Sequence, residues 1–156
     1  MTEPSIDDLK RIPVFAELIP DELEIVRQAT RTHAAAEGEV VFAEGDQSDF
    51  ICFVIDGRLE VIQKASDGRP VSVSILGPGE AFGEMALMEK SPRSATVKAL
   101  APSGLVVLDQ PKFEALIRDK PEAAVKMLMG LCRMLSKRLR QTNHRLIDCI
   151  AQCADT

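Results

Sequence analysis

Apolar residues along this chain change their spacing twice, from helical to strand-like near residue 40 and back again near residue 111. Before that first change the pattern gives two short helices broken at Pro13 and Pro20, with Asp21 and Glu24 at capping-box spacing. This predicts a helix over about Asp21–Arg31 that turns Leu23, Ile25 and Val26 toward a core. The runs Val40–Phe42, Phe50–Ile55 and Leu59–Ile62 are rich in branched and aromatic residues and predict strands. Asp56-Gly57 and Asp67-Gly68 are dipeptides suited to tight turns and predict two antiparallel hairpins. Val71 to Ile75 alternates strictly, so one face of that strand is apolar and its polar face looks outward or into a pocket. Gly77-Pro78-Gly79 interrupts the sheet, which resumes at Thr96–Val97 and Leu105–Leu108 before a helical pattern begins at Pro111.

Helices, then many short consecutive strands, then helices imply a mainly β fold with flanking helices. The expected architecture is an antiparallel β-roll of the jelly-roll type, with an N-terminal helical segment over 1–31, the roll over 32–110 and C-terminal helices over 111–156. A length of 156 residues suits one domain, and no run approaches the ~18 to 20 apolar residues of a membrane span.

Charge narrows the function. The net charge is −5, but residues 1–60 hold 14 acidic and 5 basic side chains while 111–156 hold 5 acidic and 9 basic. An acidic body with a basic tail argues against a general nucleic-acid binder. Only two histidines and four cysteines without a CxxC pair leave too few ligands for a metal hydrolase, so no metal and no cofactor are expected. The acidic N-terminus lacks the basic and apolar regions of a secretory signal, which points to the cytoplasm and reduced thiols.

Residues 79–96 carry the chemistry. Gly83 to Leu87 can form one short helical turn with open amides, and a chain that returns within ten residues brings Arg93 to the same point. Amides and a guanidinium fork would then converge on a phosphate-sized anion. Glu84 beside such an anion makes sense when the ligand also offers a hydroxyl, as a sugar phosphate does. The alternative from spacing alone is a surface Glu and Arg flanking a loop, paired with each other or with solvent.

The run Phe-Gly-Glu-Met-Ala-Leu followed by Pro-Arg-Ser-Ala-Thr-Val resembles the phosphate-binding cassette of cyclic nucleotide-binding domains, including those of cAMP-dependent protein kinase regulatory subunits. Pro-Val-Phe-Ala-Glu-Leu-Ile-Pro and Glu-Gly-Asp extend the resemblance over most of the chain. It implies that Arg93 holds the cyclic phosphate, Glu84 the ribose 2′-hydroxyl, and amides near Gly83, Met85 and Ala86 the remaining phosphate oxygens. Ser94 would add a hydroxyl to the phosphate, or to guanine in cGMP-selective members, and Val73 and Ile75 would wall the base. The implied ligand is cAMP, with cGMP as the alternative.

From Pro121 a helical pattern runs to about Cys153, weakened only at Gly130. Leu128, Cys132, Leu135, Leu139, Thr142, Leu146, Cys149 and Cys153 alternate by four and three, a heptad seam that predicts a homodimer through this helix. Met127, Leu131 and Met134 lie on an adjacent face suited to the domain itself. Cys149 and Cys153 read as small seam residues, with oxidation between chains as the other option.

Ser136 to Asn143 also resembles the dimerising helix of bacterial catabolite activator proteins. That implies an Arg near the ligand at Arg138 and adenine contacts from Thr142 and Asn143 across the dimer; a register-setting Thr and an exposed Asn are the alternative. The basic run Lys137, Arg138, Arg140, Arg145 reads as a solvated face. The sequence stops at Thr156, where those transcription factors continue into a helix-turn-helix, so no direct DNA reading is expected. The function expected is a non-catalytic cyclic nucleotide receptor acting on an unknown downstream protein, either free-standing, as the initiator Met favours, or as the sensor of a longer Crp-like regulator. A ligand-free docking module is the alternative.

Overall fold

Ser5 starts the first helix by accepting a hydrogen bond from the Asp8 amide at 3.0 Å, and α1 runs Ile6–Lys10. The structure, a computed structural model, describes residues 2–155. A 3₁₀ turn over Pro13–Phe15 leads to α2, Pro20–Ala29. This helix begins one residue before the expected Asp21 cap, because Pro20 is preset for a first helical position and Glu22 then accepts from the Ile19 amide at 3.0 Å. Glu24 pairs with Arg27 instead. The helix stops short of Arg31, which the sheet recruits: it opens β1, Arg31–Ala35, opposite Val107, and its guanidinium reaches Asp109 at 3.0 Å.

Seven further strands follow: β2 Val40–Phe42, β3 Phe50–Asp56, β4 Leu59–Lys64, β5 Pro70–Leu76, β6 Ala81–Phe82, β7 Thr96–Ala99 and β8 Ser103–Asp109. They form two four-stranded antiparallel sheets, β1-β8-β3-β6 and β2-β7-β4-β5, stacked as a jelly roll. Asp67-Gly68 closes the expected hairpin between β4 and β5. Asp56-Gly57 does not make a hairpin, since β3 and β4 belong to different sheets. Its turn carries the chain from one sheet to the other, with the Asp56 carboxylate accepting from the Gly104 amide at 2.8 Å and Gly57 at φ +99° packed on Ser103. A single turn dipeptide specifies a reversal of the chain but not which strand lies beside it.

The run from Phe50 to Ile55 is apolar throughout because both faces of β3 are covered. Ile51 and Phe53 join Leu9, Phe15 and Val26 under the helices, while Cys52 and Val54 point between the sheets with Leu59 and Leu105. Phe15 and Phe53 bring their rings to 4.8 Å across the first of these cores.

Three helices complete the chain: α3 Met85–Met88, α4 Gln110–Asp119 and α5 Pro121–Ala154. α5 buries Ala123, Ala124, Met127 and Leu131 against the N-terminal helices, and Met134 packs at the edge of that core. At about 1.5 Å per residue its 34 residues extend about 51 Å, and from residue 139 to its end they are exposed. Among the described residues, no helix is long and apolar enough to cross a membrane.

Candidate ligand-binding site

Between the two sheets, at the end closed by α3, lies a cavity of about 170 Å³. Its wall is built around Arg93, which is only 5% exposed. The guanidinium donates from Nε to Ser48 Oγ at 2.5 Å, from Nη1 to the Gly83 carbonyl at 3.2 Å and from Nη2 to the Phe50 carbonyl at 2.7 Å. Phe42 and Phe50 flank it, with their ring centroids 3.9 and 4.7 Å from Cζ. Burial lowers its pKa from the ordinary value, opposed by the negative charges of Asp49, Glu84 and Asp46. A guanidinium stays protonated regardless, so a fixed positive charge faces a small cavity. Burial has the opposite effect on the neighbouring Cys52 thiol, which is pushed up to about 12 and kept un-ionised.

Gly83 makes this placement possible. It sits at φ +85°, and a Cβ there would come within 2.8 Å of Arg93 Nη1 and 3.0 Å of the Phe50 carbonyl oxygen. The chain then turns into α3, where the Ala86 amide donates to the Gly83 carbonyl at 3.2 Å and so points into the turn.

Glu84 lines the same cavity, its side chain 14% exposed, with Oε1 3.6 Å from Nη1 of Arg138. Arg138 arrives from α5 and also donates from Nη2 to the Ala81 carbonyl at 2.6 Å. Gly83, Glu84, Met85, Ala86, Arg93, Ser94 and Arg138 therefore surround one space, although they span 55 positions of sequence.

Val73 and Ile75, expected to wall the base, face away from it. Val61 pairs with Ser74 and Leu59 with Leu76, and because Leu76 is buried inside the roll, period two sends Ser74 inward and Val73 and Ile75 outward. Ile75 is 47% exposed. The lining from these strands is Val61, Gln63, Ser74 and Leu76. Thr142 and Asn143 stand exposed about one turn beyond Arg138, outside the cavity, and the Thr142 hydroxyl donates to the Arg138 carbonyl at 2.9 Å. Within one chain neither of them lines the cavity.

Sequence reasoning missed Phe42, Ser48 and Phe50, which hold Arg93 in place. They lie more than 40 positions before it, on β2, on β3 and in the loop between them, and meet Arg93 only when this part of the roll closes over the cassette.

Residues 32–120 match the family described as Cyclic nucleotide-binding domain. The chain belongs to that family. A CRP-like cAMP-activated global transcriptional regulator of Mycobacterium tuberculosis is 30% identical over 142 residues, 91% of this chain and 62% of that protein. A cAMP-dependent protein kinase regulatory subunit of Yarrowia lipolytica is 36% identical over 120 residues, 77% of this chain and 31% of that protein. Among solved structures, a cyclic nucleotide-binding domain from Methylobacillus flagellatus superposes with a TM-score of 0.83 at 24% identity, over 91% of this chain and 80% of that one, a likeness of fold. This cyclic nucleotide-binding domain thus spans less than two thirds of the transcriptional regulator it resembles. The family match ends at residue 120, so Arg138 reaches the cavity from a helix outside the matched segment.

Proposed function

We propose that this chain is a non-catalytic receptor for a cyclic purine nucleotide, cAMP with cGMP as the alternative, that needs no cofactor and relays occupancy through α5 to a protein partner. The observation that carries the reading is the shared cavity: a buried guanidinium, a carboxylate and a cation from the tail helix meet in one space. Arg93 supplies the fixed charge for a cyclic phosphate, Glu84 accepts from a ribose hydroxyl, and Ser94 offers a further hydroxyl. The two relatives named above carry cAMP in their descriptions, which supports the choice of nucleotide.

The cavity is smaller than the ~300 to 1,000 Å³ of most small-molecule sites, so the ligand enters as the segment from Glu84 to Pro92 moves or as the base extends out along α5. Either path disturbs the Arg138–Glu84 contact, and that is how occupancy reaches the helix. Thr142 and Asn143 meet the base only if a second copy of α5 lies alongside; the receptor is a homodimer in this reading, working in the cytoplasm without touching DNA through these residues. As a segment of a longer Crp-like regulator it would do the same work.

Calorimetric titration with cAMP and then cGMP tests the proposal. Saturable binding near one nucleotide per chain is expected, reduced roughly tenfold or more by Arg93→Leu, the loss of a charge-assisted bond. Binding of neither nucleotide overturns it and favours a docking module that uses the exposed β5 ridge of Val71, Val73 and Ile75.

A further inference from the structure

A second cavity, of about 400 Å³, lies at the joint of the roll with α5, where the helix passes the 3₁₀ turn Pro13–Phe15 and the loop between β5 and β6. Two glycines fix its walls. A Cβ at Gly79, which sits at φ +87°, would come 3.2 Å from Pro13 Cδ, and one at Gly130 would collide with the Val14 carbonyl oxygen. The loop and the helix are therefore pressed against the same turn. From Gly130 the cavity follows α5 to Gln141, roughly 16 Å at about 1.5 Å per residue. Its volume falls in the ~300 to 1,000 Å³ range of small-molecule sites, above that of the cavity between the sheets.

Pro13, Val14 and Pro78 make one side of this space apolar, while α5 contributes Arg133, Lys137 and Arg138. The carboxylate of Glu80 also lines it, but that group already accepts from the Gly77 amide at 2.9 Å. Arg133 has a partner at the rim, Glu17 at 2.8 Å, whereas Lys137 pairs with no carboxylate among the described residues. Three cations against one carboxylate, in a chain of net charge −5, concentrate positive potential at this joint. Apolar walls with cations along one side fit an amphipathic anion, a carboxylate or sulfonate on a compact apolar body. The two prolines and the valine offer no hydrogen-bonding side chain to a sugar.

Arg138 belongs to both cavities. Its Nη1 stands 3.6 Å from Glu84 Oε1 in the cavity between the sheets. Its Nη2 donates to the Ala81 carbonyl at 2.6 Å and lies 3.7 Å from Met134 Sδ, in the wall of the second cavity. An anion seated beside Lys137 therefore competes with Glu84 for the same guanidinium.

We propose that the second cavity is a regulatory site for a small amphipathic organic anion, coupled to the nucleotide site through Arg138. The coupling, though not the site, rests on the proposed function. There, entry of the nucleotide disturbs the Arg138–Glu84 contact. An anion that draws Arg138 away has already done part of this work, and it leaves Glu84 free for a ribose hydroxyl. Each ligand then favours the arrangement that the other binds, so each tightens the other by the same factor.

The test titrates the full chain with 8-anilinonaphthalene-1-sulfonate, an amphipathic anion whose fluorescence rises in apolar surroundings. One saturable site per chain is expected, weakened about fivefold or more by Lys137→Glu. Arg140→Glu makes the same charge change on an exposed residue of α5 outside the cavity and should stay within about twofold of wild type. Saturating probe should tighten cAMP binding about fivefold or more, and this gain should vanish in Arg138→Ala. Probe binding that is absent, unsaturable or equally affected by the two charge reversals overturns the site. A saturable site with unchanged or weakened cAMP affinity overturns the coupling. If cAMP does not bind at all while Lys137→Glu still weakens the probe, the nucleotide reading fails, the coupling fails with it, and the site stands.

Discussion

Arg138 and Glu84 sit 3.6 Å apart across the junction between α5 and the cassette turn, 54 positions apart in sequence. Together with the bond from Arg138 to the Ala81 carbonyl, this contact connects the cavity to the helix that leaves the domain. A charge-assisted hydrogen bond is worth about 1.5 to 3 kcal/mol when buried, and the partial exposure of Arg138 screens some of that. Arg138→Ala is expected to destabilise the fold by about 1 kcal/mol. It should also raise amide exchange after residue 138 more than exchange in the roll. Uniform exchange across the chain would argue against a connection at this point.

Gly130 gives a prediction whose sign is informative. Glycine to alanine in an exposed helix gains up to about 1 kcal/mol in propensity. Here a Cβ would lie 2.3 Å from the Val14 carbonyl oxygen, a backbone atom that cannot rotate away. Overpacking of this kind costs about 1 to 3 kcal/mol, so Gly130→Ala should lower stability despite its better propensity. Urea denaturation reads the sign; a gain would mean that the helix slides off the 3₁₀ turn at little cost.

The facing of β5 can be checked by binding. Ile75→Thr alters an outward side chain and should leave nucleotide affinity within about twofold, as surface changes usually do. Ser74→Phe fills the cavity and should abolish binding while the chain remains folded by circular dichroism. The reverse pattern would restore Ile75 to the base wall.

Acid stability should depend on Glu22. It is buried, and its carboxyl is held below the usual range by the hydrogen bond from Lys126 Nζ at 2.6 Å, then by the Ile19 amide. A depressed folded pKa stabilises above the unfolded value of about 4.3 and is lost as pH falls through the folded one. Melting temperature should therefore fall below about pH 4.3, and Glu22→Gln should start lower at neutral pH and fall less steeply. Glu24 and Glu39 are depressed as well, by Arg27 and His33, so the difference between the two proteins isolates Glu22. Parallel curves would separate Glu22 from the acid transition.

The order of helices, strands and helices, a short helical turn expected over Gly83–Leu87 and found over Met85–Met88, and the tail helix were legible along the chain, because each rests on local periodicity or on a motif within 18 consecutive residues; the same motif marked the cassette residues that line one cavity. Capping was legible only in part: the Pro20 position and the pull of β1 on Arg31 moved both ends of α2. Tertiary structure alone decided the rest. The pairing of β4 with β5 set which face of Val71–Leu76 looks inward, since alternation gives a period without a phase. Sheet closure brought Phe42, Ser48 and Phe50 around Arg93, and docking of α5 on the N-terminal helices carried Arg138 to Glu84. Contacts between residues more than 40 positions apart depend on how whole elements pack, and no local pattern carries that information.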